Sequence, residues 1–140
     1  VPGADGTLHT NYRGKAEAAV RTLLEDGNDF VYIHVEAPDE MGHQGSAERK
    51  IQAIEAIDRE IVRVVTEQMN ESGEPYRILL LPDHPTPIRC RTHTSNPVPF
   101  ILYDRTQERR MRSAYSEREA AERGEYVPDG YRLIERLFER

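Results

Sequence analysis

Five side chains that are able to bind divalent metal ions occur in three short polar segments of the sequence. In chain order they are Asp39, His43, Asp83, His84 and His93. Imidazole nitrogens and carboxylate oxygens are common protein ligands for zinc and other divalent transition metals. Cys90 is the single cysteine, which excludes an internal disulfide framework and a zinc site built from several thiolates. Any metal bound by this chain therefore needs nitrogen and oxygen ligands.

The spacing of these residues predicts how they share metal ions. Asp39 and His43 are four residues apart, so in a helical turn they lie on one face and hold one ion together. Asp83 and His84 are adjacent, and adjacent side chains of an extended backbone point in opposite directions. This second pair is therefore expected to serve two neighbouring ions.

The number of ligands limits the kind of site. Two catalytic metal sites need roughly three or more protein ligands each, with one position left for substrate. Five ligands are too few, so the sequence favours either one metal or a second site completed by residues that this chain lacks. The alternative is that Asp39, Asp83 and His84 only cap helices and turns. Their common position at the ends of predicted strands favours metal binding.

Five other polar or reactive residues have structural interpretations. His34 lies in the middle of a predicted strand, and His9 lies in the Gly-rich opening segment. Cys90 is expected to be a small buried hydrophobic residue. Arg13 and Lys15 are possible phosphate contacts, but the first turn of an exposed helix is an ordinary place for basic side chains.

Three short runs rich in apolar and β-branched residues predict strands, at residues 30–36, 77–81 and 98–103. The apolar run Ile78–Leu81 does not alternate, so it is expected to be buried on both faces, as in a parallel sheet covered by helices. Four of the five proposed ligands follow the first two strands. Ligands of open α/β sheets bind beyond the carboxyl ends of the strands.

Apolar side chains at spacings of three and four predict helices at residues 14–25, with Gly27 as a stop, and from Ser46 to Met69, ending near Gly73. Both are expected to cover a sheet. A strand, a long helix and a strand form the crossover unit of a parallel sheet. The predicted fold class is therefore α/β, with a mostly parallel sheet flanked by helices.

Two further elements are predicted near the end of the chain. Ser116 and Glu119 resemble a capping box at the start of a helix, and Gly124 resembles its stop. The apolar residues between Leu133 and Phe138 predict a final amphipathic helix.

Composition limits the functional class. The chain has 140 residues, 37% of them apolar, as expected for one folded domain or a large piece of one. With a mean hydropathy of -0.74, no apolar run approaches the roughly 20 residues of a membrane helix. The net charge is -6 and basic residues are interspersed with acidic ones, so no nucleic-acid footprint is present. The arginine cluster at residues 105–112 is expected to be a solvated loop.

Four stretches of the sequence resemble the archaeal-type cofactor-independent phosphoglycerate mutases of the alkaline phosphatase superfamily. They are PGADGTLHTNYRGKAEAA, DFVYIHVEAPDEMGHQG, YRILLLPDHPTPIRCRTHTSNPVPFILYD and GYRLIERLF. The motifs DEMGH, DHPTP and THT in this order are the specific part of the resemblance.

The resemblance implies a cytoplasmic glycolytic isomerase that transfers a phosphoryl group through a covalent phosphoenzyme. It implies two divalent metal ions, usually manganese, zinc or cobalt, and phosphoglycerate as the substrate. By position, Asp39, His43 and His93 resemble the ligands of one metal, and Asp83 and His84 those of the other. The serine or threonine nucleophile and one further aspartate of the family have no counterpart in this sequence.

The resemblance also predicts a domain organisation. Residues 1–13 are expected to be a linker that returns from an inserted substrate domain, and residues 14–140 to be the C-terminal part of the metal-binding phosphatase-like domain. The chain starts without an initiator methionine, which suggests a fragment of a longer enzyme. Such a fragment is expected to be inactive, with weak or partial metal occupancy, most readily at the site of Asp39, His43 and His93.

Two alternative functions remain open at this point. Bacterial relatives with the same metal motifs have been suggested to be homoserine kinases, and substrate choice lies in the inserted domain. The other alternative is a non-catalytic module that forms a homo-oligomer through an exposed sheet edge or apolar face.

Overall fold

The structure is a computed structural model that describes residues 1–107 and 114–139. The chain divides into two compact units, each described separately below. The first comprises Val1–Glu74 with Thr86–Thr94, and the second comprises Pro75–Pro85 with Ser95–Arg140. The predicted arginine-rich loop extends into residues 108–113, which lie outside the described residues.

Helices dominate the first unit, and they agree with the periodicity of the sequence. They are α1 (Tyr12–Leu24), α2 (Ala37–His43), α3 (Ala47–Ile57), a π-helical turn (Asp58–Val62) and α4 (Arg63–Ser72). The prediction of a helix at residues 14–25 is confirmed by α1. The predicted long helix is also confirmed, because α3, the π-helical turn and α4 follow one another without a break.

Local capping interactions fix the ends of the long helix. The Ser46 side chain accepts a hydrogen bond from the backbone N–H of Arg49 and so caps the first turn of α3. Gly73 follows α4 with a φ of 75°, in the left-handed region that favours glycine. The sequence places both boundaries within a few residues because each depends on one residue.

Small and medium apolar side chains form the core of the first unit. Its buried members are Tyr12, Ala16, Ala37, Ala53, Ile61 and Val64. The three alanines allow the helices to approach closely. The predicted apolar stripe of the long helix is only partly buried, because Ile51 and Ile54 are 56% and 52% exposed. The expectation that this stripe covers a sheet is therefore wrong for the first turns of α3.

Residues 30–36 do not form the predicted strand. They are not part of the two-stranded sheet of the described residues, and a strand exists only where a neighbouring strand completes its hydrogen-bond ladder. From Val31 to Glu36, half-buried and exposed residues nevertheless alternate. This alternation is the pattern of extended backbone with one side covered.

The second unit contains a two-stranded sheet. Strand β1 (Arg77–Leu80) pairs with β2 (Ile101–Asp104) in antiparallel register, with Arg77 opposite Asp104. The predicted mostly parallel sheet is therefore not confirmed by the described residues, whose strands pair antiparallel. The prediction that the apolar run Ile78–Leu81 is buried on both faces is also wrong, since all residues of β1 are half-buried. Full burial requires a layer of structure on each face of a sheet, and two strands alone do not supply it.

Two short helices also lie in the described part of the second unit. Helix α5 (Glu117–Arg123) begins at Ser116, whose side chain accepts a hydrogen bond from Glu119 N–H, and it ends at Gly124, as predicted. The final segment, Gly130–Leu137, is a 3₁₀ helix rather than the predicted α-helix. Residues three apart lie on one face in both helix types, so this spacing alone does not distinguish a 3₁₀ helix from an α-helix. No helix in the described part of the chain is long and apolar enough to span a membrane.

Asp104, at the end of β2, accepts several hydrogen bonds. Its Oδ1 accepts hydrogen bonds from the hydroxyl and the backbone N–H of Thr106 at 2.6 and 2.8 Å. Its Oδ2 lies 2.8 Å from Nε of Arg77 on the opposite strand. The hydrogen bonds from Thr106, followed by the one from Arg77, lower the pKa of Asp104 to about 2.

We predict that Asp104 makes stability depend on acid pH. Because its folded-state pKa lies below its unfolded value, its contribution is present above about pH 4 and is lost as the pH falls toward about 2. Asp104→Asn is expected to remove this part of the acid dependence, measured by urea unfolding between pH 7 and pH 2.5. Asp26→Asn, in the exposed turn after α1, is the control. An acid dependence that is equally steep in wild type and Asp104→Asn would contradict the prediction.

Candidate metal centre

Helix α2 supplies two of the predicted metal ligands. Pro38 lies in its first turn, where a fixed φ and a missing N–H are tolerated. Asp39 and His43 lie one turn apart on the same face, with Asp39 Oδ2 3.3 Å from His43 Nε2. The shared face predicted from their spacing is therefore observed.

The segment of residues 86–94 returns to the first unit and places His93 beside Asp39 and His43. Residues 86–94 belong to the first unit although 11 residues of the second unit, Pro75–Pro85, precede them. Within this segment the N–H groups of Cys90 and Arg91 both donate to the Pro87 carbonyl at 2.9 Å and form a turn. His93 Nε2 then lies 3.1 Å from His43 Nε2 and 3.2 Å from Asp39 Oδ1.

The separations within this triad suit a metal ion. Two imidazole nitrogens and one carboxylate group approach one another to within 3.1–3.3 Å. Ligand atoms ~2.0–2.1 Å from a tetrahedral zinc ion are themselves separated by ~3.3–3.4 Å. Among the described residues, Asp39, His43 and His93 form a group of three potential ligands whose ligand atoms all lie within 4.8 Å of one another.

A backbone carbonyl fixes the protonation of His43. Nδ1 of His43 lies 2.9 Å from the carbonyl oxygen of Arg91. Because a carbonyl only accepts hydrogen bonds, Nδ1 carries the proton, and in the neutral imidazole Nε2 keeps its lone pair. This is the arrangement typical of a metal-bound histidine, whose second nitrogen donates to a carbonyl or carboxylate.

Arg91, which provides this carbonyl, has an unusual backbone conformation. Its φ of 54° is the one positive value among the non-glycine residues in the described ranges. A bulky residue in the left-handed region usually marks a turn or a functional constraint. Gly45, just after α2, also has a positive φ, of 70°, and a Cβ there would lie 2.5 Å from Nε of Arg91.

The triad is open to ligands from solution. The side chains of Asp39, His43 and His93 are 30%, 36% and 52% exposed. Three protein ligands with open positions are typical of catalytic zinc sites, whereas structural sites are closed by four protein ligands. The exposure therefore favours a site that admits a substrate.

Asp83 and His84 lie in the second unit, just after β1. His84 Nε2 lies 3.5 Å from Asp83 Oδ1, and the backbone N–H of His84 donates to the same oxygen at 3.0 Å. The expectation that these side chains diverge is wrong, because the backbone bends at both residues and is not extended. The pair is thus able to face a single ion.

The other polar residues predicted to be structural have ordinary surroundings, with one exception. Lys15 Nζ donates to the His34 carbonyl at 2.8 Å, and Arg13 forms an exposed ion pair with Glu17. The exception is Cys90, for which the prediction of a buried residue is wrong, because it is exposed. His9 is exposed in the opening segment.

Two contributors to the triad have no chemical signature in the sequence. The Arg91 contact uses a backbone oxygen, which every residue possesses, and only the positive φ distinguishes it. The Thr86 hydroxyl donates a hydrogen bond to Asp39 Oδ1, although the two residues are 47 positions apart in the sequence. Thr86 lies in the DHPTP motif, but a single threonine between prolines is also an ordinary loop residue.

Comparison with known proteins identifies related metalloenzymes. The family described as the Metalloenzyme superfamily matches residues 1–126. A probable 2,3-bisphosphoglycerate-independent phosphoglycerate mutase of Geobacter sulfurreducens is 47% identical over 100% of this chain and 35% of its own length. The 2,3-bisphosphoglycerate-independent phosphoglycerate mutase of Methanothrix thermoacetophila is 46% identical over 99% of this chain and 35% of its own length. The chain thus spans about a third of these relatives.

A solved structure shares the fold. The PH0037 protein from Pyrococcus horikoshii superimposes with a TM-score of 0.69 and 29% sequence identity. The match covers 86% of this chain and 35% of that protein.

We predict that metal binding by this chain depends on the triad. Calorimetric titration with Mn²⁺ or Zn²⁺ is expected to show one principal site, and His43→Ala is expected to abolish its measurable heat. His34→Ala is the matched control, because His34 also lies near a carboxylate, 3.7 Å from Glu36, but is outside the triad. Equal loss in both variants, or two tight sites in the wild type, would contradict the prediction.

Proposed function

We propose that this chain, which belongs to the Metalloenzyme superfamily, is the metal-binding part of an enzyme that interconverts 3-phosphoglycerate and 2-phosphoglycerate. The observation that carries the proposal is the convergence of Asp39, His43 and His93 to within 3.1–3.3 Å. Similarity to phosphoglycerate mutases along the whole chain supports the substrate class. The nucleophile is proposed to lie in the part of the enzyme that this chain does not include.

Each proposed ligand has a role in the proposed enzyme. Asp39, His43 and His93 hold one divalent ion, which we take to be manganese, zinc or cobalt, and Asp83 and His84 contribute to a second. A bound divalent ion neutralises negative charge on a transferring phosphoryl group and lowers the pKa of an attacking hydroxyl.

The remaining contacts of the triad orient its side chains for metal binding. The Arg91 carbonyl keeps Nδ1 of His43 protonated and so keeps the lone pair of Nε2 directed at the other two ligands. The Asp39 carboxylate offsets part of the positive charge of an ion. The exposure of all three side chains leaves space for a substrate phosphate.

The complete enzyme is further proposed to have an alkaline-phosphatase-like α/β fold with a mostly parallel sheet. The family match supports this proposal. The exposed side chains of Ile51 and Ile54 also favour it, since they leave part of the α3 surface available for packing against further structure.

We predict that the complete enzyme, supplied with Mn²⁺ or Co²⁺, converts 3-phosphoglycerate to 2-phosphoglycerate without added bisphosphoglycerate, and that the 140-residue chain alone does not. His93→Ala in the complete enzyme is expected to lower kcat/KM by at least about 100-fold, since it removes a direct ligand. An enolase-coupled assay measures both activities, and His34→Ala is the control.

Two results would contradict this function. One is a metal-loaded complete enzyme that is inactive on both phosphoglycerates. The other is ATP-dependent phosphorylation of homoserine by that same preparation, which would favour the kinase alternative. Turnover by the isolated chain would contradict only the proposal that the nucleophile lies elsewhere.

A further inference from the structure

A buried hydroxyl lies beside the carboxylate of the triad. Thr86 is 4% exposed, and its Oγ1 donates a hydrogen bond to Asp39 Oδ1. An ionised carboxylate only accepts hydrogen bonds, so the hydroxyl is the donor. Hydrogen bonds to a charged acceptor are roughly twice as strong as neutral ones.

The backbone of Thr86 is itself held in place. Lys50 Nζ on α3 donates to the Thr86 carbonyl at 2.7 Å. Pro85 and Pro87 flank the residue, and a following proline restricts Thr86 to extended conformations. The Lys50 hydrogen bond and the two flanking prolines therefore restrict the backbone that carries the Thr86 hydroxyl.

Gly42 makes this close approach possible. A Cβ at Gly42 would lie 2.6 Å from the Thr86 carbonyl oxygen and 2.9 Å from its Cγ2. The backbone of α2, between its two proposed ligands, thus lies directly against Thr86. A side chain at this position of α2 would displace Thr86 from Asp39.

Two hydrogen bonds anchor residues 86–94 to α2, one near each end of the segment. Thr86 donates to Asp39 at the start, and the Arg91 carbonyl accepts from His43 near the end. The segment also carries His93. Each α2 ligand is therefore oriented by the same segment that delivers the third ligand.

We infer that Thr86 is a positioning residue for the metal centre, an inference that rests on the proposed function. Its hydroxyl prevents rotation of the Asp39 carboxylate, so that Oδ2 stays near His43 and Oδ1 near His93. It also anchors the segment on which His93 lies. Loss of a residue that orients a metal ligand typically weakens metal binding by roughly 10- to 100-fold.

The test compares two substitutions that differ in the hydroxyl. Thr86→Val keeps the shape and removes the hydrogen bond, whereas Thr86→Ser keeps the hydroxyl and removes a methyl group. Calorimetric titration of the 140-residue chain with Mn²⁺ is expected to show a Kd raised roughly 10- to 100-fold in Thr86→Val. Thr86→Ser is expected to stay within about threefold of the wild type, since it retains the hydrogen bond. Far-UV circular dichroism and urea unfolding establish that each variant is folded.

Three outcomes would overturn the inference. The first is an unchanged Kd in folded Thr86→Val, and the second is equal weakening in both variants, which would assign the effect to the methyl group. If Thr86→Val does not fold, Thr86→Ala replaces it with the same expected result. The third is a wild-type chain that binds no Mn²⁺, which would refute the metal centre itself. This outcome is distinguished from the other two because it is observed in the wild type, without any variant.

Discussion

The return of residues 86–94 to helix α2 is the constraint on which the candidate site depends. Helix α2 alone presents Asp39 and His43 on one face, which gives only two ligands for a metal ion. The returning segment adds His93, and its hydrogen bonds orient both earlier ligands. A long-range contact of this kind is costly in chain entropy, and several specific contacts at once offset that cost. The site is thus assembled by tertiary structure and not by a local motif.

The elements that the sequence predicts correctly are those determined locally. Helix α1 and the helical run from Ser46 to Gly73 follow from apolar periodicity and from single capping residues. The sheet was predicted less well, because a strand depends on a partner that periodicity does not identify. Residues 30–36 keep the alternating exposure of a strand without forming a ladder, and β1 pairs with β2 in antiparallel register, whereas the sequence predicts a mostly parallel sheet.

The site shows the same division between local and distant information. The face shared by Asp39 and His43 follows from helical geometry, whereas His93 joined this set only through family resemblance, since nothing in its spacing points to α2. The two orienting contacts were not predicted at all. One uses the Arg91 carbonyl and the other a single threonine hydroxyl, and neither group differs in the sequence from many others that have no such role.

Anomalous X-ray diffraction from crystals of this chain grown with Mn²⁺ or Zn²⁺ would locate a bound ion relative to the triad. We expect an anomalous peak ~2.0–2.2 Å from His43 Nε2, His93 Nε2 and a carboxylate oxygen of Asp39. Anomalous peaks that lie only elsewhere, or a peak contacted by one member of the triad alone, would contradict it.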